Sequence, residues 1–123
     1  MAIFKERALR AYERARDALD KGDCDWAVFL LEQALQLLVK YFLALKIGYF
    51  PRTHSLSRLL EEAGELDPGF VEFLREHRDS VAFLEDAYIS SRYLLRRYSR
   101  DEVERRLRLF GELLKLVERH EGD

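Results

Sequence analysis

The sequence predicts an all-α fold, an antiparallel up-and-down bundle of four or five helices that is expected to dimerise. Three observations carry that expectation. Leu, Glu, Arg and Ala are abundant, while the 123 residues hold six glycines and two prolines, a composition that favours helix. Apolar residues recur at i, i+3/i+4 spacing, with no Val/Ile alternation of the strand kind. Asp23–Ile47 runs without proline or glycine and is apolar around most of its circumference, which calls for neighbours on several sides. One domain, 1–123, accounts for the length, and a chain of this size buries enough surface for a core.

The first helix is expected over residues 2–21, with Phe4, Ala8, Ala11 or Tyr12, Ala15 and Leu19 on its inner line. Lys21-Gly22 closes it with a cation in the last turn and a glycine for a left-handed cap. Asp23 then caps the central helix, and so short a link makes the two an antiparallel hairpin. Gly48 ends the central helix. Tyr49–His54 reads as a shaped loop, because Pro51 disfavours helix at Phe50. Thr53 or Ser55 caps a short helix, Ser55–Ala63, with Leu56, Leu59 and Leu60 on its buried side. Asp67-Pro68 opens another segment whose apolar residues are Phe70, Phe73 and Leu74. A second long helix is expected from Asp79 to Tyr98, with an inner stripe of Leu84, Ala87, Ser91, Leu94 and Tyr98. Ser99 and Glu102 form a capping box for the last helix. Its stripe is Val103, Leu107, Phe110 or Gly111, Leu114 and Val117, and residues 120–123 are expected to fray.

Several function classes recede on composition. The net charge is −2, so no global field drives nucleic-acid binding. Locally, Arg92 to Arg108 holds seven arginines against three acids, read either as a solvated helix face paired with acids or as a phosphate or RNA footprint. A single cysteine, Cys24, excludes an intrachain disulfide and suits a reducing compartment. Charges interrupt every apolar run at the N-terminus, so no signal peptide is expected. Glu32, Gln33, Gln36 and Lys40 would sit at mid-bilayer depth in a membrane-spanning helix. A cytoplasmic protein without membrane contact is therefore expected. His54, His77 and His120 stand apart in sequence without metal-ligand spacing, and no glycine-rich phosphate loop occurs, so no metal or cofactor is expected.

Two polar groups remain. Arg52-Thr53-His54 lies at a helix start, where backbone amides, a guanidinium and an imidazole suit an anion. The alternative is that Thr53 caps the helix while His54 fixes the loop. The second group is Tyr88-Ile89-Ser90-Ser91-Arg92-Tyr93, in which Tyr88 and Arg92 are i, i+4 neighbours. An arginine fork beside a tyrosine suits a phosphate with a stacked base, whereas an arginine stem lying on Tyr88 would be packing alone. Arg96 continues this polar face. The candidate ligand-binding set is thus Arg52, His54, Tyr88, Arg92, Tyr93 and Arg96.

Taken in order, these motifs resemble a known family. Gly22-Asp23-Cys24-Asp25-Trp26-Ala27 leads into Gln33-Ala34 and Lys40. Pro51-Arg52-Thr53-His54-Ser55-Leu56 follows with Leu59-Leu60 behind it, and then Ala87–Tyr93. The chain resembles the HEPN domain (higher eukaryotes and prokaryotes nucleotide-binding), in particular its small stand-alone archaeal and bacterial members. The resemblance implies a dimerising helical bundle found beside a minimal nucleotidyltransferase in two-gene, toxin–antitoxin-like modules. Catalytic members are metal-independent RNases with an Arg-x4–6-His motif. No arginine stands five to seven residues before His54, His77 or His120. Lys115-x4-His120 keeps the spacing with lysine in place of arginine. The resemblance therefore implies a non-catalytic or weakly catalytic nucleotide-binding protein. An RNA endonuclease using His54 or His120, and a purely structural interaction module, are the alternatives.

Overall fold

Asp23 is the hinge from which the architecture follows. Its carboxylate accepts from the Trp26 amide at 3.3 Å and starts a 24-residue helix. The computed structural model describes residues 2–93 and 97–122, the side chains of 89–93 excepted. Among the described residues six helices form: α1 Ala2–Asp20, α2 Cys24–Ile47, α3 Leu56–Gly64, α4 Pro68–Glu76, α5 Arg78–Tyr93 and α6 Arg100–Glu118. The count exceeds the expected four or five because α3 and α4 are single short elements and only His77 separates α4 from α5.

Gly22 and Gly48 both adopt positive φ, 83° and 80°, which a glycine takes without the steric cost of a Cβ. The first turns α1 back onto α2, and the second ends α2. Helix α2 packs against α1, α3, α5 and α6. Ala27, Leu31, Leu35, Leu38, Phe42 and Leu43 have no exposed surface. Its breadth of apolar surface is thus met mostly within the chain. By length and composition α2 is apolar enough to cross a membrane, yet Glu32 and Gln36 lie in the core beside these residues.

Gly64, at the end of α3, lets α4 approach so closely that a Cβ there would collide with the Val71 side chain. Asp67 caps α4 through the Gly69 amide at 2.8 Å. Ser99 and Glu102 make both bonds of the predicted capping box.

Three expectations are corrected. Helix α5 is described to Tyr93, Leu94 of the expected stripe lies outside the described residues, and residues 97–99 are not helical. Tyr98 nevertheless joins the core from the chain that leads into α6, edge-on to Phe83 at 5.4 Å, with its amide bonded to the Asp25 carboxylate. The inner face of α6 carries Leu109 and Leu113, whereas Leu107 and Leu114 are only half-buried. Leu109 takes the place of Leu107 and Leu113 that of Leu114, and packing against α2 selects the rotation. Finally, His120 and Glu121, expected to fray, are fastened. Glu121 accepts from Lys5 at 2.8 Å and from the Tyr41 hydroxyl at 2.6 Å, and the Lys5 ammonium, then the Tyr41 bond, hold its carboxyl below the usual range.

Candidate functional site

Four rings from three separate segments form a ladder. Trp26 and Phe29 lie one turn apart near the start of α2, their centroids 5.1 Å apart and planes within 11°. Tyr88 of α5 continues the series 5.8 Å from Phe29, and His54 of the 48–55 loop lies 5.5 Å from Tyr88, all nearly parallel. Phe29 and Tyr88 are half-buried and His54 is exposed. Trp26 keeps 53% of its surface in solvent, an unusual exposure for so large an apolar ring.

A buried polar cluster shares α2, α5 and the 48–55 loop with this ladder. Gln36 of α2 donates from Nε2 to the His54 carbonyl at 2.9 Å and to the Glu32 carboxyl at 2.6 Å. Gln33 donates to the other Glu32 oxygen at 3.0 Å. Glu32 is fully buried. Burial pushes its carboxyl up to about 7, the Gln36 and Gln33 bonds lower it in part, and the charge of Glu85 raises it further. From α5, Glu85 accepts from the Ser55 hydroxyl at 2.7 Å, the Ser57 hydroxyl at 3.2 Å and the Ser57 amide at 3.3 Å. The loop is therefore held by α2 at the His54 carbonyl and by α5 at the two serines. Lys40, its ammonium 5.6 Å from the Phe50 ring, is depressed by desolvation and raised in part by Glu32.

Of the two capping candidates, Ser55 takes the role: its hydroxyl accepts from the Arg58 amide at 3.2 Å, and Thr53 accepts from the Ser55 amide at 3.1 Å. The anion reading of this helix start is modified accordingly. Two amides of this helix start are engaged internally, that of Ser57 by Glu85 and that of Arg58 by Ser55. Arg52, two residues before His54, is exposed.

The structure brings His54 and Tyr88 of the predicted set together, with Arg52 two residues before His54. The side chains of Arg92 and Tyr93, and all of Arg96, lie outside the described residues. His120 belongs to a different place. Its Nε2 meets the Asp67 carboxylate at 2.7 Å and its ring packs on Phe42 at 4.8 Å. Burial would raise Asp67, but the bonds from His120, the Gly69 amide and Arg119 outweigh it and hold the carboxyl below its ordinary value. His77 is bonded through Nε2 to Glu112 at 3.0 Å. The described arginines of the basic segment largely serve the fold. Arg100 donates to the Leu19 carbonyl at 3.1 Å, Arg105 to the Asp101 carbonyl at 3.3 Å, and Arg106 to the Glu102 carbonyl at 2.7 Å. The Arg106 guanidinium also lies 3.9 Å over the Phe83 ring.

Sequence reasoning assigned no role to Trp26, Phe29, Glu32, Gln36 or Glu85. A carboxylate within an otherwise apolar helix was the visible signal for Glu32, and Gln36 follows it at i+4. The partnership with Glu85 and the loop had no counterpart in spacing.

No curated protein matches the chain at a significant level. The family model for the HEPN domain matches residues 1–120 of the 123, and the chain therefore belongs to the HEPN domain family.

Proposed function

We propose that this HEPN chain binds a nucleotide or the end of a single-stranded RNA, as a non-catalytic or weakly catalytic partner of a minimal nucleotidyltransferase in a two-gene, toxin–antitoxin-like module. The observation that carries the ligand part is the ring ladder Trp26–Phe29–Tyr88–His54 with Arg52 at its loop end. A base stacks on any exposed ring face regardless of sequence, and an arginine beside it takes the phosphate. The hydrogen bonds from Gln36 and to Glu85 fix the loop before a ligand arrives, which lowers the ordering cost of binding. The partner and a homodimeric state rest on family membership.

Trp26 is the single tryptophan, so its emission reports on the ladder directly. Titration with ATP and with short RNAs is expected to quench it saturably. Stacking is worth ~1–3 kcal/mol per base, so His54→Ala, which removes the terminal ring beside Arg52, weakens binding by about one to two orders of magnitude, and Arg52→Ala weakens it with a shallower salt dependence. Absence of quenching, or variants that bind as the parent does, removes the nucleotide reading. Co-expression with a minimal nucleotidyltransferase and sedimentation of the purified chain test the partner and the dimer.

One observation favours the RNase reading as second. The rings of His77 and His120 each engage a carboxylate, whereas His54 is exposed two residues after Arg52. That reading requires metal-independent RNA cleavage that is lost in His54→Ala. Cleavage persisting in that variant ends it.

A further inference from the structure

Helices α4 and α6 flank a cleft of about 480 Å³ whose lining includes Asp67, Glu72, Glu76, Glu112 and Arg119. Four carboxylates face one guanidinium there, and that guanidinium is paired with Asp67 at 3.0 Å. Beside the cleft, one oxygen each of Glu76 and Glu112 and one ring nitrogen of His77 lie within 4.8 Å of one another. Adjacent residues on a helix normally point about 100° apart. Glu76 and His77 converge because His77 leaves the helix as its C-cap, at φ −114° and ψ 27°. The imidazole is prearranged: it packs against Phe73 at 4.8 Å and its side chain is only 9% exposed. Two carboxylates this close repel each other, and a cation between them relieves the repulsion.

We infer that Glu76, His77 and Glu112 form a site for a divalent transition-metal ion of the Zn²⁺ class. An imidazole with two carboxylates is a borderline donor set that suits zinc and disfavours calcium or magnesium, which take oxygen ligands almost exclusively. Bonds of ~2.0–2.2 Å in a tetrahedron place ligand atoms about 3.3 Å apart, so the three groups need only close by side-chain rotation. The His77–Glu112 hydrogen bond is then replaced by two bonds to one ion, with water in the fourth position. The ion ties the α4–α5 junction to α6, residues 76 and 77 to residue 112. Its place in the fold is separate from the ring ladder, and it is independent of the nucleotide reading.

Calorimetric titration of the chelator-stripped full chain with Zn²⁺ alone tests the site. The expected result is one ion per chain and a raised melting temperature. Affinity should fall at least tenfold in Glu112→Gln and in His77→Gln, and remain unchanged in His54→Gln and His120→Gln. Cobalt in place of zinc should give the intense visible absorption of a tetrahedral site. Glu76 is exposed, so Glu76→Gln supplies a fold-neutral variant, also expected to bind at least tenfold more weakly, if His77→Gln is unstable. The absence of a one-to-one uptake, or an affinity unchanged by Glu76→Gln and Glu112→Gln, overturns the assignment.

Discussion

A carboxyl with no solvent exposure inside a largely apolar helix makes this protein's stability depend on pH near neutrality. Glu32 titrates near 7 because burial disfavours its charge more than the Gln36 and Gln33 bonds favour it. Unfolding returns it to about 4.5. Between those values the folded form holds a proton that the unfolded chain has released, so stability falls as pH rises from about 4.5 to about 7, and this group contributes no slope on either side. At ~1.4 kcal/mol per pH unit the full effect is about 3 kcal/mol. Glu32→Gln imitates the protonated side chain. Urea unfolding at pH 5 and at pH 8 should show this part of the pH dependence gone, with the variant at least as stable as the parent at pH 8. A variant that keeps the parent's full slope would place the titration elsewhere. The presence of Glu32 in an apolar run is plain from sequence. Its burial is not, because the same helix face could have met solvent.

Among the elements, the loop of residues 48–55 shows how a short segment becomes rigid without regular structure. Its Pro51 and a cap at Thr53 or Ser55 are local signals, and both were legible, while the choice of Ser55 was not. The bonds that fix it come from elsewhere: Gln36 at the His54 carbonyl, and Glu85 at Ser55 and Ser57. The bonds to the Glu85 carboxylate are charge-assisted and contribute ~1.5–3 kcal/mol each. Glu85→Ala should therefore accelerate hydrogen exchange at the Ser57 amide by roughly tenfold or more. The amides of α1, which do not contact Glu85, should exchange as before. Equal acceleration along the whole chain would mean that Glu85 supports the fold as a unit rather than the loop. Helix α6 makes the complementary point. Its capping box and its period were readable, while the choice of Leu113 over Leu114 as the buried residue belonged to packing.

At the scale of the whole molecule, α2 is the common neighbour. Phe42 meets Phe70 of α4 at 4.4 Å and His120 at 4.8 Å, with no exposed surface. Phe42→Ala should cost about 3–5 kcal/mol in a denaturant titration. Trp26→Ala, in the same helix but half in water, should cost under about 1 kcal/mol, even though it removes the end of the ring ladder. If Trp26→Ala were as damaging as Phe42→Ala, the ladder would be part of the core and not a surface for a ligand. The two chain ends are joined in this frame as well, through Lys5, Glu121 and Tyr41. Glu121, expected to fray because of its place near the terminus, is fastened because a cation near the start of α1 and a hydroxyl on α2 both reach it.

The all-α class, most of the cap positions, the breaks at Gly22 and Gly48, and the HEPN relationship follow from sequence alone. Each rests on neighbours within a few residues, or on motifs kept in order along the chain, and helical period carries that information. What the tertiary structure decided is which distant residues share a place. The rings at 26, 29, 54 and 88, the carboxyls of Glu32 and Glu85 with the serines between them in sequence, and Glu76 and His77 opposite Glu112 all depend on helix rotation and crossing. Those are set by how apolar side chains of the whole core fit together, a sum over contacts that no spacing within one segment records.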